Sequence, residues 1–238
     1  TALLSFVEPT LQQTYDGQPK VPQVNILPDT LGVFFTFNGD TAAPTEAGAY
    51  EVVANVSDTN FFGSVTDTMI ILPAAATVDL VQLSLNQTYT GSPLSPSVVT
   101  DPSGLPVELA FDSNSTPPEN VGTYTVVATI DDPNFTGADT AVFEIMPANA
   151  QVSIDPASLS KTYDGGQKPV TVTTLPAGLD VTIAYDENQA APVNAGTYNV
   201  VATVDDPNYS GADTATLTIT KGVAIVDINT ASLTQPYD

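Results

Sequence analysis

A single step of 74 residues runs through this chain and limits its fold more than any other feature. Tyr15, Tyr89, Tyr163 and Tyr237 recur at that step, and so do Tyr50, Tyr124 and Tyr198, each closing a Gly-x-Tyr. Asn60, Asn134 and Asn208 keep the same register, as do Gly63, Gly137 and Gly211. No insertion or deletion disturbs it. The units read as repeat domains 1–74, 75–148 and 149–222, with 223–238 opening a fourth that stops inside its own motif at Tyr237-Asp238. The chain thus reads as a window on a longer tandem array. Such a unit is longer than the single supersecondary element of an ankyrin or leucine-rich repeat and matches a small domain. The reading is beads on a string. The joints at Pro73-Ala74, Pro147-Ala148 and Lys221-Gly222 carry no Ser/Gly-rich linker, so freedom between beads is limited.

Within each unit the apolar residues alternate with a period of two, the signal of half-buried strands. In Tyr124 to Ile130, the residues Tyr124, Val126, Ala128 and Ile130 face one way; Tyr50 to Val56 and Tyr198 to Val204 repeat the pattern. Shorter runs at Val33-Phe35-Phe37, Val107-Leu109-Phe111 and Val181-Ile183-Tyr185 predict a middle strand. Leu4 and Phe6, Val78 and Leu80, Val152 and Ile154 predict a first strand, and Val24, Val98 and Val172 another between them. Leu217 and Ile219 point inward from the last strand of the third unit, with Thr214, Thr216, Thr218 and Thr220 on its other face. Pro and Gly punctuate the gaps, and no window has a capped helical period. The fold class expected is all-β: a tandem array of small immunoglobulin-like β-sandwich domains forming a rod, with a β-grasp-like unit as the alternative.

Composition removes most chemistry. The chain carries 27 acidic residues against 4 lysines, with no Arg, His, Cys or Trp. Neither a Ser-His-Asp nor a Cys-His pair can form, nor a Cys/His zinc site. There is no guanidinium to clamp a phosphate. A net charge of -23 repels nucleic acid and anionic lipid surfaces. With 42% hydrophobic residues in patterned runs, the chain is nonetheless not a disordered acidic tail. Its most apolar stretch, Met69 to Ala76, is too short to span a membrane and is broken by Pro73.

The turn Thr14-Tyr15-Asp16-Gly17 followed by Ala47-Gly48-Ala49-Tyr50 resembles a known repeat. The third unit is closer still, with Thr162-Tyr163-Asp164-Gly165, then Asn194-Ala195-Gly196-Thr197-Tyr198, then Asp206-Pro207-Asn208-Tyr209-Ser210-Gly211. These residues resemble the MBG or YDG-type domain found in tandem in large bacterial surface and adhesin-like proteins. The resemblance covers essentially the whole chain. The second unit departs from it, with Thr90 for the Asp and Val121-Gly122 for Ala-Gly. A motif that tolerates such changes is architectural. The resemblance implies an extracellular, repetitive, non-catalytic role and supplies no ligand.

Each motif has a structural reading. In Thr-Tyr-Asp-Gly, Gly supplies a positive φ, Asp caps the turn and Tyr packs its ring inward. Gly-x-Tyr before the long strand suggests a tyrosine corner, whose hydroxyl ties down a neighbouring loop. The acidic hairpins Asp131-Asp132-Pro133-Asn134 with Asp139, and Asp205-Asp206-Pro207-Asn208 with Asp213, gather oxygen donors of the kind calcium takes. Their spacing matches no EF-hand, and the first unit has Ser57 and Val65 where the second has Asp131 and Asp139, so turn chemistry competes with calcium there. Glu108, Glu119, Glu144 and Glu187 do not recur in register, which argues against a carboxylate-pair glycosidase. Lys20 and Lys168 are equivalent but Leu94 replaces them in the second unit, so a Lys–Asn isopeptide bond cannot be common to all units. Asn55, Asn86, Asn114, Asn134 and Asn208 head Asn-x-Ser/Thr sequences that permit glycosylation.

The function expected is a structural stalk or spacer of a bacterial surface protein, with no enzyme activity, no cofactor other than the calcium considered above, and neighbouring repeats as its partners. Two rivals stand beside it: a repeated weak binding module acting by avidity, and a subunit of a self-assembling fibre. The loops Asn38 to Glu46, Ser113 to Asn120 and Glu187 to Asn194 differ between units, which favours the spacer.

Overall fold

The computed structural model describes residues 1–227; the last part of the expected fourth repeat, with Tyr237 and Asp238, lies outside the described residues. The first repeat contains β1 (Leu3–Phe6), β2 (Gln12–Thr14), β3 (Val24–Leu27), β4 (Gly32–Phe37), β5 (Gly48–Ser57) and β6 (Ser64–Leu72), followed by a short β7 (Ala74–Ala75). The second contains β8 (Thr77–Leu80), β9 (Asn86–Thr88), β10 (Val98–Asp101), β11 (Val107–Phe111), β12 (Gly122–Ile130), β13 (Phe135–Thr136) and β14 (Ala138–Met146). After β15 (Ala148–Asn149), the third contains β16 (Gln151–Ile154), β17 (Ser160–Thr162), β18 (Val172–Leu175), β19 (Val181–Tyr185), β20 (Gly196–Val204), β21 (Tyr209–Ser210) and β22 (Ala212–Thr220). The chain divides into two compact units. Residues 1–87, 93–118 and 123–144 make the first; 88–92, 119–122 and the described residues from Ile145 make the second.

In the first unit, the first repeat folds as two sheets. One runs β2-β6-β5-β4, with β2 parallel to β6 and the remaining pairs antiparallel. The other pairs β1 with β3, Leu3 opposite Leu27 and Phe6 opposite Val24. The order β4-β5-β6 is that of strands C, F and G of an immunoglobulin sandwich, and β1-β3 that of A and B. No D or E strand is present; residues 38–47 take their place. Period-two alternation sends Phe6, Phe37, Val52, Ala54, Met69 and Ile71 into the space between the sheets. Burying each large apolar side chain stabilises by roughly 1.5–3 kcal/mol.

In the second unit, the third repeat repeats the plan, with β17-β22-β20-β19 facing β16-β18. Its core is Val152, Ile154, Val170, Tyr185, Val200, Ala202, Leu217 and Ile219. Thr214, Thr216, Thr218 and Thr220 stay exposed on the opposite face, as the alternation predicts. The expected long, middle, first and intervening strands are all present.

Each β-hairpin from strand C turns through two residues of positive φ: Asn38-Gly39, Asp112-Ser113 and Asp186-Glu187. The first of each pair caps the turn. Asn38, Asp112 and Asp186 each accept, through Oδ1 at 2.8 Å, the backbone N–H of Glu51, Thr125 and Asn199. Asn and Asp tolerate the left-handed region because their short polar side chains bond locally.

Candidate functional site

The residues that recur in register meet at the joints. In the first unit the chain leaves β6, and β7 crosses to run parallel with β13, Ala74 opposite Phe135. Ala74 N donates to Asn134 O (2.8 Å) and Ala76 N to Thr136 O (3.0 Å). This crossing brings the loop before β14 against the far pole of the first repeat. Asn134 Oδ1 accepts from Ala47 N at 2.7 Å, and its Nδ2 donates to the Glu46 carboxylate. Tyr15 stands edge-on to Phe135, with ring centroids 5.3 Å apart at 79°. The joint in the second unit is built alike. β15 runs parallel with β21, Asn208 Oδ1 accepts from Val121 N at 2.9 Å, and Asn208 Nδ2 donates to Asn120 Oδ1 at 3.2 Å. Tyr89 and Tyr209 meet edge-on at 5.3 Å and 80°. Desolvation in this joint raises the Tyr89 hydroxyl above its ordinary value.

The Tyr of the Thr-Tyr-Asp-Gly turn is therefore more than an inward-packed ring. Tyr15 leans on its own repeat's core and forms a T-shaped pair with Phe135 of the next repeat. The rest of the turn follows expectation. Gly17, Gly91 and Gly165 take φ of 76°, 76° and 86°. Asp16 accepts from Gln18 N and Asp164 from Gly166 N, each at 2.9 Å. Lys20 reaches Asp16 at 2.5 Å, and Lys168, itself buried, reaches Asp164. The hydrogen bond from the lysine, then that from the backbone, holds both carboxyls below the usual carboxylate range. A depressed folded-state value means stability present above the unfolded value and lost as pH falls through the folded one. Asp164→Asn should thus lower the melting temperature slightly at neutral pH, the Asp164 carboxylate of the pair being exposed. The gap to the parent should close below the carboxylate range; a gap that persists in acid would assign it to shape instead.

The tyrosine corners close as expected: Tyr50 donates its hydroxyl to Glu46 O and Tyr198 to Asn194 O, both at 2.9 Å. Tyr50 fixes the same loop that Asn134 grips.

The acidic hairpins use their oxygens on backbone. Asp132 Oδ1 accepts from Asn134 N and Asp206 Oδ1 from Asn208 N, both at 2.8 Å, presetting each joint loop. Asp139 accepts from Leu80 N (2.9 Å) and Thr140 N (2.8 Å); Asp213 does the same for Ile154 and Thr214. Asp131 and Asp205 sit beside them, exposed, their backbone N–H groups bonded to Pro106 O and Asp180 O. Among the described residues no group of three His, Cys, Asp or Glu lies close enough to hold a metal. Since the two asparagines and Asp132, Asp206, Asp139 and Asp213 already carry protein bonds, millimolar calcium should leave the melting temperature unchanged. A rise of several degrees, lost in an Asp132→Ala, Asp206→Ala double variant, would place an ion there.

The chain belongs to the MBG domain family, whose model matches residues 9–75, 76–149 and 150–223. Among curated proteins nothing matches the sequence. Among solved structures it is similar to the three N-terminal domains of the highly immunogenic outer capsid protein Hoc of bacteriophage RB49, at 14% identity over 94% of this chain and 99% of that one, TM-score 0.33. It is also similar to the N-terminal four Ig domains of Dscam1 isoform 4.44, at 11% identity over 87% and 72%, TM-score 0.30. A third similarity is to fibronectin(III)-like modules of CbhA from Clostridium thermocellum, at 15% identity over 68% and 98%, TM-score 0.27.

Proposed function

We propose that this chain is a non-catalytic stalk or spacer segment of a large bacterial cell-surface, adhesin-like protein, working outside the cell. The observation that carries the reading is the joint. The same asparagine, the same edge-on aromatic pair and the same parallel strand pair recur at both joints, 74 residues apart. Repeats held in this way supply fixed spacing, which a spacer needs and a set of freely tethered binding modules does not. The acidic surface supports it, since a charge of -23 discourages sideways sticking. The absence of His, Cys and Arg from the sequence removes the commonest catalytic groups.

Small-angle scattering tests the reading. Strand rise gives each repeat a length of about 35–40 Å, so the chain should measure roughly 110–130 Å end to end. A compact particle of about 60–70 Å, the scale of one globule of this length, would overturn the stalk. In an Asn134→Ala, Asn208→Ala double variant the distance distribution should broaden.

A further inference from the structure

The last strand of a repeat is paired, at the edge of its sheet, with a strand from the start of the same repeat, and the pair runs parallel. In the first repeat β2 lies along β6, Gln12 opposite Ile70 and Thr14 opposite Leu72. In the third β17 lies along β22, Ser160 opposite Thr218 and Thr162 opposite Thr220. Backbone bonds close both ends of each pair. Ile70 N donates to Leu11 O (2.7 Å) and Tyr15 N to Leu72 O (2.9 Å); Thr218 N donates to Leu159 O and Tyr163 N to Thr220 O, both at 2.9 Å. The second repeat opens its pair in the same way, with Glu144 N donating to Leu85 O at 2.8 Å. Direction is what matters here. Were the first and last strands antiparallel, the two chain ends would leave at one pole, and tension would open the ladder one bond at a time. In a parallel pair the start of one strand and the end of the other lie at opposite poles. Tension then draws the strands past each other along their own axes, across evenly spaced bonds that share the load and part together. A pull from upstream meets β1 first; once β1 is stripped from β3, it passes the turn Glu8–Thr10 and reaches β2.

A side chain reinforces this pair in two of the three repeats. Gln13, half-buried in the middle of β2, donates through Nε2 to Thr10 O (2.9 Å) and Val21 O (3.3 Å), with Met69 Sδ at 3.7 Å. Gln87 in β9 does the same for Ser84 O (2.9 Å) and Ser95 O (2.8 Å). These bonds pin the edge strand to segments before and after it, so it cannot slide without breaking them. The third repeat has Lys161 at this position, with Ser158 and Pro169 where the other repeats place the two accepting residues. Among the described residues the Lys161 side chain makes no such bond. The added bonds there come from the exposed Thr220 hydroxyl, to Lys161 O and Thr162 Oγ1, each at 3.3 Å.

We propose that each repeat is a load-bearing element, clamped against tension along the chain by its edge pair, and that Gln13 and Gln87 make the first two clamps stronger than the third. This deepens the stalk reading and rests on it for the source of the load, since a stalk fixed at a surface is stretched whenever what it carries is held. The clamp is a kinetic device. A single hydrogen bond adds little to equilibrium stability. Forced unfolding, however, is governed by the unfolding rate, which is set by the contacts that must part before the chain yields. The repeats therefore resist force out of proportion to their stability. Under rising tension the third repeat yields first, which lengthens the chain and spares the other two.

Single-molecule force spectroscopy on the 238-residue chain, held by its two ends, tests this. Three unfolding events are expected, each releasing roughly 220 Å, because 74 residues extend to about 3.6 Å apiece and the folded repeat already spans about 40 Å. One event should come at lower force than the others. Lys161→Gln should lift it to their level, and Gln13→Leu or Gln87→Leu should each bring one of the others down to it, with circular dichroism unchanged in all three variants. The chain has no cysteine, so a second pulling direction can be chosen freely. Thr197→Cys with Thr218→Cys grips two exposed residues that face each other across β20 and β22. Pulling there opens an antiparallel ladder bond by bond; it should need severalfold less force than pulling by the ends, and Lys161→Gln should not alter it. An end-to-end force no higher than the force at these handles would overturn the clamp. A weakest event that Lys161→Gln leaves in place would overturn the grading. Neither result touches the scattering test of the stalk.

Discussion

Phe143→Ala should destabilise the first unit by roughly 3–5 kcal/mol, the range for truncating a fully buried aromatic residue. Phe143 has no exposed surface and lies 5.8 Å from the ring of Phe111, tilted at 58°. Alanine would lose the burial, the ring pair and the surrounding contacts, and would leave a void that the sheets close only in part. The equivalent positions in the other repeats are Met69 and Leu217, both fully buried. The slot therefore accepts different large side chains, and Phe143→Leu should cost less than about 1.5 kcal/mol. Urea denaturation followed by circular dichroism measures both. Val142→Ala, one residue away on the exposed face, serves as control and should move stability by no more than about 0.5 kcal/mol. A Phe143→Ala loss near that of the control would mean that the sandwich collapses onto the vacancy.

The alternation of Tyr124, Val126, Ala128 and Ile130 made the long strand legible, because one buried face leaves a period of two in the sequence whatever its partners are. The short β2, β9 and β17 left no such trace. Gln12-Gln13-Thr14 has no apolar alternation, and β2 exists because its backbone pairs in parallel with β6. The Gly-x-Tyr corner was legible because its hydroxyl bond is local, four residues back. The joints were half legible. The register showed Asn134 and Asn208 as fixed points of a recurring loop, yet their partners lie 87 residues earlier in the chain, and no local pattern spans that distance. The acidic hairpins show the reverse problem. Asp139 and Asp213 suggested ion ligands by composition, but their positions beside Leu80 and Ile154 give them a backbone N–H each. In the first repeat Val65 stands at this position and brings no carboxylate.

Gly137→Ala and Gly211→Ala should have the second large effect, for a reason of space alone. The strand entering each of these repeats crosses directly over the glycine, since Ala76 N bonds to Thr136 O and Ala150 N to Ser210 O on either side of the crossing. A Cβ at Gly137 would lie 2.3 Å from Ala76 O, and one at Gly211 2.2 Å from Ala150 O. Both obstacles are backbone, so no rotamer change relieves them. Either the crossing strand lifts, breaking the parallel pair and the asparagine grip, or the long hairpin distorts at Ile130 N–Gly137 O (3.0 Å) or Val204 N–Gly211 O (2.9 Å). Forcing a methyl into a filled site costs about 1–3 kcal/mol and sometimes more, and the rigid obstacle puts these sites at the upper end. Gly63 grades the argument, because its Cβ would meet Ala2 O and Leu4 Cδ1 at 3.0 Å, so Gly63→Ala should cost less. Gly39→Ala separates crowding from conformation: its φ is +85° and nothing lies within 4 Å, so any cost there is backbone strain, on the order of 1 kcal/mol. Thermal melts of the four variants should therefore rank Gly137 and Gly211 as most damaging, with Gly63 and Gly39 behind them. Equal losses at Gly137 and Gly39 would mean that the crossing strand yields freely, and the joint would then be a hinge rather than a lock.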